Sequence, residues 1–174
     1  MSKKIEALKE VLKKNPSNSN AWIQIGYLYF QKDEYQNAIK AYKKGIELNS
    51  SEAINWHNLG HIYYEIEEYD NATKALKKAL ELNPNLAITW SELSSVYIDM
   101  GNFDKAIIAC KNALKNNSKD ESAWTNLGSA YYNQKLYDRA IEALSKALEI
   151  IPHLEFAQKL LKLVKKAKNE ELKK

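Results

Sequence analysis

The sequence predicts an all-α fold, a stack of antiparallel helix pairs followed by one capping helix. Three observations carry that prediction. The four tryptophans, Trp22, Trp56, Trp90 and Trp124, are spaced by 34 residues each time. Their surroundings repeat without a gap, and residues 53–86 agree with 121–154 at 17 of 34 positions. The 174 residues contain only 5 Gly and 3 Pro, too few turn formers for a many-stranded sandwich or barrel. A fixed period of this length is the mark of a repeat array in which each unit is one supersecondary element.

Taken in chain order, residues 2–14 carry Ile5, Leu8, Val11 and Leu12 and read as a lone second helix. Four units then follow, at 19–52, 53–86, 87–120 and 121–154, after an N-terminal segment 1–18. In each unit the first helix shows apolar residues at i, i+3, i+4 and i+7, as in Trp56, Leu59, Gly60 and Tyr63. A short polar link such as Glu67-Glu68 or Gly101-Asn102 ends it. An aromatic opens the second helix (Tyr35, Tyr69, Phe103, Tyr137). Asp70, Asp104 and Asp138 come next, where a carboxylate suits the positive end of a helix dipole. The second helix repeats the apolar spacing in Ala72, Leu76, Ala79 and Leu80. Pro16, Pro84 and Pro152 stand in one register between units, where proline ends one helix and can start the next. Residues 155–174 read as a cap. Phe156, Leu160, Leu161 and Val164 are expected on one stripe, and Lys162 and Lys165 replace the usual Gly and Tyr, so the outward face is polar as a terminal repeat requires. Ten helices result.

The pattern W-x2-L-G-x2-Y, then Ala, then an aromatic and Pro, resembles the tetratricopeptide repeat (TPR). Trp56, Leu59, Gly60, Tyr63, Ala72 and Pro84 carry it, and Trp124, Leu127, Gly128, Tyr131, Ala140 and Pro152 carry it again. The first unit departs mildly, with Ile25 for Leu and Gly45 for Ala. The third has Ser94 where Gly is usual and Cys110 where a bulky apolar residue is usual. The resemblance implies a right-handed superhelical solenoid. It also implies a function in binding other proteins, residing in the side chains of the surfaces and not in the repeat itself.

At 100° per residue the core stripe of each first helix leaves a second stripe roughly 130° away. In similar repeats that stripe lines a concave groove. Here it consists of Asn20, Ile23, Tyr27 and Phe30, then Ile54, His57, His61 and Tyr64. Ile88, Ser91, Ser95 and Ile98 follow, and last Ser122, Thr125, Ser129 and Tyr132. The list is neutral and half apolar, suited to a peptide or an amphipathic helix. Ile23, Tyr27, Phe30, Ile54, His57, His61 and Tyr64 are the expected chief contacts, with Ser91, Ser95, Thr125 and Ser129 supplying hydrogen bonds. The last members, Phe30, Tyr64, Ile98 and Tyr132, form an apolar ladder that can equally pack first helices together. Some members of the family hold acidic chaperone tails in a carboxylate clamp of Lys, Asn and Arg. At those positions this chain has Ile23, Tyr27, Asn58, Ile88 and Glu92, of which only Asn58 matches, so a clamp is not expected.

Other chemistry finds little support. His57, His61 and Glu65 share one helix face at i, i+4, i+8 and are a weak metal candidate, but His-Asn-Leu-Gly-His lacks the Glu of a zinc hydrolase motif. No phosphate loop and no nucleophile beside a base appears, so neither enzyme activity nor a cofactor is expected. Cys110 is the single cysteine, which excludes an internal disulfide, and it falls on a packing face as a small buried thiol. The net charge of +4 divides into +3 over residues 1–18, −3 over the body and +4 over 155–174. A nucleic-acid binder concentrates positive charge on its folded face, so nucleic acid is not the expected partner. The second helices carry a lysine stripe, Lys40, Lys43, Lys44, Lys74, Lys77 and Lys78, that reads first as a solvated face. No run of about 18 apolar residues spans a membrane, and the first residues lack the apolar stretch of a secretory signal. A cytoplasmic location is expected. The expected function is a protein-binding scaffold or adaptor, and the alternative is a self-assembling homo-oligomeric scaffold.

Overall fold

Ten α-helices follow one another among residues 2–172, the residues that the computed structural model describes. They are α1 (Ser2–Lys14), α2 (Ser19–Phe30), α3 (Tyr35–Leu48), α4 (Ala53–Glu65) and α5 (Tyr69–Leu82), then α6 (Ala87–Asp99), α7 (Phe103–Asn116), α8 (Glu121–Asn133), α9 (Tyr137–Ile150) and α10 (Glu155–Glu171). No strand occurs among the described residues, and none of their helices is long and apolar enough to cross a membrane. The chain divides into two compact units, Met1–Pro84 with α1 to α5 and Asn85–Lys174 with α6 to α10.

In the first unit α2 packs along α3 and α4 along α5, with α1 against α2 and α3 against α4. The pairs approach closely because each first helix has a glycine where its partner is bulky. A Cβ added to Gly26 would stand 2.6 Å from the Tyr42 ring, and one added to Gly60 would stand 2.7 Å from Leu76 Cγ. Tyr42 and Leu76 are fully buried as a result.

In the second unit α6 pairs with α7 and α8 with α9, while α7 also packs on α8 and α10 on α9. Gly128 meets Leu144 as Gly60 meets Leu76, at 2.6 Å. Cys110, Leu127, Tyr131, Leu144 and Val164 share one core. On α10 the buried residues are Ala157 and Val164, with Leu160 and Leu161 partly buried beside them. Phe156 is 61% exposed and so leaves the stripe expected for it. The reason is angular: Ala157, at the centre of the buried face, turns its neighbour outward. Lys162 and Lys165 face solvent.

Each turn from a first to a second helix is the same device. Glu34 N–H donates to Tyr29 O at 3.0 Å and Asp33 N–H to Phe30 O at 2.9 Å, a Schellman closure of α2. Glu68 and Glu67, Asn102 and Gly101, and Leu136 and Lys135 repeat it on α4, α6 and α8. The motif needs one left-handed residue, supplied by Asp33, Glu67, Gly101 and Lys135 at φ of 59°, 60°, 71° and 61°. Only the third turn uses the residue type that adopts this conformation without strain.

The tryptophans brace the links between repeats. Trp22, Trp56 and Trp124 donate their indole N–H to the carbonyls of Pro16, Ser50 and Ser118, six residues earlier, at 3.0–3.1 Å. Gln158 takes the tryptophan register on α10 and keeps the bond, donating Nε2 to Pro152 O at 2.7 Å.

Candidate interaction surface

The first helices place the expected contact residues at four levels, and burial sorts them. At the first level Asn20, Ile54, Ile88 and Ser122 are exposed, with Ile54 at 46% and Ile88 at 59%. At the second level His57, Ser91 and Thr125 are buried, each 6% exposed. These three therefore offer almost no area to a partner, contrary to the expectation for His57 as a chief contact. The position lies two residues, roughly 200°, from the buried leucines Leu59, Leu93 and Leu127, so the first helices are packed on two opposite sides at this level.

Ile23 holds the same position in the first unit and is half-buried on α3. A Cβ at Gly45 would come within 2.6 Å of Ile23 Cδ1, so the glycine that departs from the usual Ala makes room for this isoleucine. At the third level Tyr27 is 49% exposed and its hydroxyl accepts a bond from Gln31 Nε2 at 2.8 Å. His61, Ser95 and Ser129 are half-buried there.

The fourth level, the aromatic ladder, is built across the Schellman turns. Phe30 lies 6.0 Å from Tyr35, Tyr64 lies 6.1 Å from Tyr69 and Tyr132 lies 6.2 Å from Tyr137, each pair joining the end of a first helix to the start of the second. Phe30 also meets His61 edge-on at 5.2 Å. Ile98 is half-buried at the same level. The ladder is thus first a packing feature, with part of each ring left open.

In the second unit much of the hydroxyl character is consumed internally. Asn126 Nδ2 donates to Ser94 Oγ at 2.9 Å and Ser95 Oγ at 2.8 Å, and lies 3.4 Å from the Ser91 carbonyl. Thr125 Oγ1 donates back to Glu121 O at 2.7 Å, and Ser91 Oγ reaches Asp120 at 3.4 Å. Ser91 and Thr125 are thus buried and engaged within the fold, Ser95 is half-buried and accepts from Asn126, and Ser122 remains on the surface. The sequence offers Asn126 only as an ill-fitting position of a clamp shifted by one repeat, because a helical pattern does not show which hydroxyls an Asn will meet on a neighbouring helix. Its register partner Asn58, the one match to a carboxylate clamp, is also engaged: it hydrogen-bonds Tyr42, whose phenol is pushed up to about 12 by burial, the bond from Asn58 opposing the rise.

His57, His61 and Glu65 do not assemble a metal site, and among the described residues no group of three His, Cys, Asp or Glu side chains is placed to hold one. Cys110 is fully buried, and burial raises its thiol to about 12.

Residues 3–173 match the family model described as Cilia and flagella-associated protein 70 C-terminal domain (CFAP70_TPR_C). No curated protein matches the chain significantly. Among solved structures, a crystal structure of MamA is 33% identical with a TM-score of 0.81, covering 84% of this chain and 85% of that one. YrrB, described as a TPR protein with an unusual peptide-binding site, has a TM-score of 0.80 at 22% identity, over 95% of this chain and 85% of that one. The first TPR of Spaghetti (RPAP3) bound to HSP90 peptide SRMEEVD has a TM-score of 0.66 at 22% identity, over 68% of this chain and 94% of that one. The last two likenesses establish the fold alone, a solenoid of tetratricopeptide repeats.

Proposed function

The chain belongs to the tetratricopeptide-repeat family of the CFAP70 C-terminal domain, and from that premise we propose that it is a non-enzymatic interaction module. Its first helices hold a peptide or helix of a protein partner. The observation that carries this reading is the exposure of Tyr27 and Ile54, at 49% and 46%, on the first helices of one unit. Large apolar side chains left open beside half-buried aromatics suit a contact surface better than a solvated one. Phe30, His61 and Tyr64 extend the apolar area, and Asn20 adds a polar contact at its edge. In the second unit Ile88 offers an anchor of the same kind and Ser122 a hydroxyl.

The partner engages through apolar side chains and not through a terminal carboxylate. Positions 23, 27, 88 and 92 hold Ile, Tyr, Ile and Glu, with no cation for a carboxylate to meet. The peptide held by the Spaghetti repeat is therefore not the ligand expected here.

Two baits test the reading in a pull-down from the source lysate: the native chain and a Tyr27→Glu, Ile54→Lys variant whose helicity is checked by circular dichroism. A partner retained by the first and lost by the second supports it. Equal retention refutes it.

One observation favours self-assembly as the alternative. Phe156 and Leu163 on α10 are 61% and 47% exposed, an apolar face on an otherwise charged helix. That reading requires a mass that rises with concentration in light scattering and ceases to rise in a Phe156→Glu, Leu163→Glu variant.

A further inference from the structure

The outer side of the first unit carries a second candidate surface that the first helices do not explain. Between α1 and α3, over α2, lies a cleft of about 680 Å³. Trp22, Ile25 and Tyr29 form its floor, and Lys9, Lys13, Lys40 and Lys44 stand around it with no carboxylate among its lining.

Repetition explains why it is open. The same cleft one repeat later, about 500 Å³, has Trp56, Leu59 and Tyr63 at its floor. There Lys43 lies over the Tyr63 ring at 5.6 Å, and Glu47 is part of the wall. In the second unit Lys105 covers Tyr97 at 5.7 Å and Arg139 covers Tyr131 at 5.8 Å. The residue in the register of Lys105 and Arg139 is Asn37 in the first repeat and Asn71 in the second. Both amides are turned away, donating to Glu34 Oε2 at 2.9 Å and Glu68 Oε2 at 2.7 Å, so the second repeat takes its cover from Lys43 on the preceding helix. Lys9, which holds the register of Lys43 in the first repeat, faces the Tyr29 hydroxyl instead of lying over the ring, and Tyr29 stays half-buried, while Tyr63, Tyr97 and Tyr131 are only 6%, 6% and 8% exposed.

The lysines are also available. Lys9, Lys13 and Lys44 pair only with Glu6, Glu10 and Glu47 one turn away on exposed helix faces, and Lys9 also faces the Tyr29 hydroxyl. Such surface pairs contribute little and yield to a better-placed carboxylate. Lys40 has no ion pair among the described residues.

We propose that this cleft is a docking site for an acidic segment of a protein partner, one that sets a bulky apolar side chain on Trp22 and Tyr29 and flanking carboxylates on Lys13, Lys40 and Lys44. Charge complementarity selects an anionic partner. The floor joins aliphatic Leu12 and Ile25 to half-buried Trp22 and Tyr29, which suits an inserted apolar side chain of a peptide; a stacked base is the competing occupant that the RNA arm of the test reads. The site is separate from the first-helix surface and stands or falls independently of it.

Fluorescence anisotropy tests the proposal with the full chain and a fluorescein-labelled peptide of Glu and Asp residues around a central Leu-Phe. The control peptide has Ala-Ala at its centre. Two kinds of variant separate pocket from charge. Lys40→Glu with Lys44→Glu removes the cations. Asn37→Arg, with Asn37→Lys as a second version, adds a cation but imports the lid of the later repeats. Circular dichroism confirms that each variant folds. The native chain is expected to prefer Leu-Phe over Ala-Ala by at least fivefold, and both kinds of variant to weaken the Leu-Phe peptide by about tenfold. Equal binding of both peptides, or binding by the lid variants that matches or exceeds the native, overturns the proposal and leaves a plain polycationic face. So does a native chain that ignores the peptide, whether or not it binds phosphatidylserine vesicles or single-stranded RNA.

Discussion

Ser94 and Cys110 form a size exchange across α6 and α7. Where three repeats set Gly26, Gly60 and Gly128 beneath Tyr42, Leu76 and Leu144, the third sets a hydroxymethyl group beneath a thiol. Both residues are fully buried, and the Ser94 hydroxyl is held by the Ser91 carbonyl at 2.5 Å and by Asn126 at 2.9 Å. The two departures from the repeat pattern are therefore one compensated change, since a Cβ at Gly60 or Gly128 would lie within 3 Å of the leucine opposite, and one at Gly26 within 3 Å of the Tyr42 ring.

Cys110→Leu alone is expected to destabilise the chain by about 1–3 kcal/mol through overpacking against Ser94. Adding Ser94→Gly should recover most of that loss, giving a coupling energy of about 1–2 kcal/mol in a double-mutant cycle read by urea unfolding. Additive effects would show that the two positions do not share one space.

The left-handed turn residues make opposite predictions at equivalent sites. Gly101→Ala meets no atom within 4 Å of the new Cβ, so only backbone strain acts, and it should cost about 1 kcal/mol. Lys135→Gly relieves the same strain and should add about 0.5–1 kcal/mol, less the entropy glycine loses on folding. Thermal unfolding of both variants checks the signs.

Asn126→Ala removes the amide that joins Ser94 and Ser95 on α6 to α8. A loss of about 1–3 kcal/mol is expected, because the buried Ser94 hydroxyl loses a donor. Asn126→Gln, longer by one methylene, should not rescue it. Chemical denaturation monitored at Trp124, on the same helix, reads the change.

Alkaline pH should unfold the chain through two neutral groups. Cys110 rises from 9.0 to about 12 and Tyr42 from 10.0 to about 12, both chiefly because burial disfavours the charged form. The unfolded chain releases these protons first, so their contribution is whole below pH 9 and is lost as pH climbs through 9–12. Urea midpoints should fall across that window, and Cys110→Ala should flatten part of the fall. The same burial keeps the thiol inert to a thiol-specific reagent at pH 8 until the chain unfolds.

The fold was legible because the repeat writes each structural rule four times. The 34-residue period, the Trp-Leu-Gly-Tyr stripe and the aromatic after each turn located all ten helices. The surface was less legible, since a stripe drawn at 100° per residue cannot tell an open face from one curving into its neighbour. His57, Ser91 and Thr125 illustrate this, being polar by type yet buried on the side of the helix opposite Leu59, Leu93 and Leu127. The bonds of Asn126 and the open cleft at Tyr29 were invisible for a related reason. Each depends on what a residue in another helix does with its polar atoms, as Asn37 does in turning to Glu34 and Lys9 in facing the Tyr29 hydroxyl.

The central claim, that the first helices hold the partner, is tested most directly by placing a photo-crosslinking amino acid at position 27 and, separately, at position 108. Both native residues are exposed, Tyr27 at 49% on a first helix and Ile108 at 59% on a second. The account predicts a partner adduct from position 27 and none from position 108. An adduct from 108 with none from 27 would contradict it.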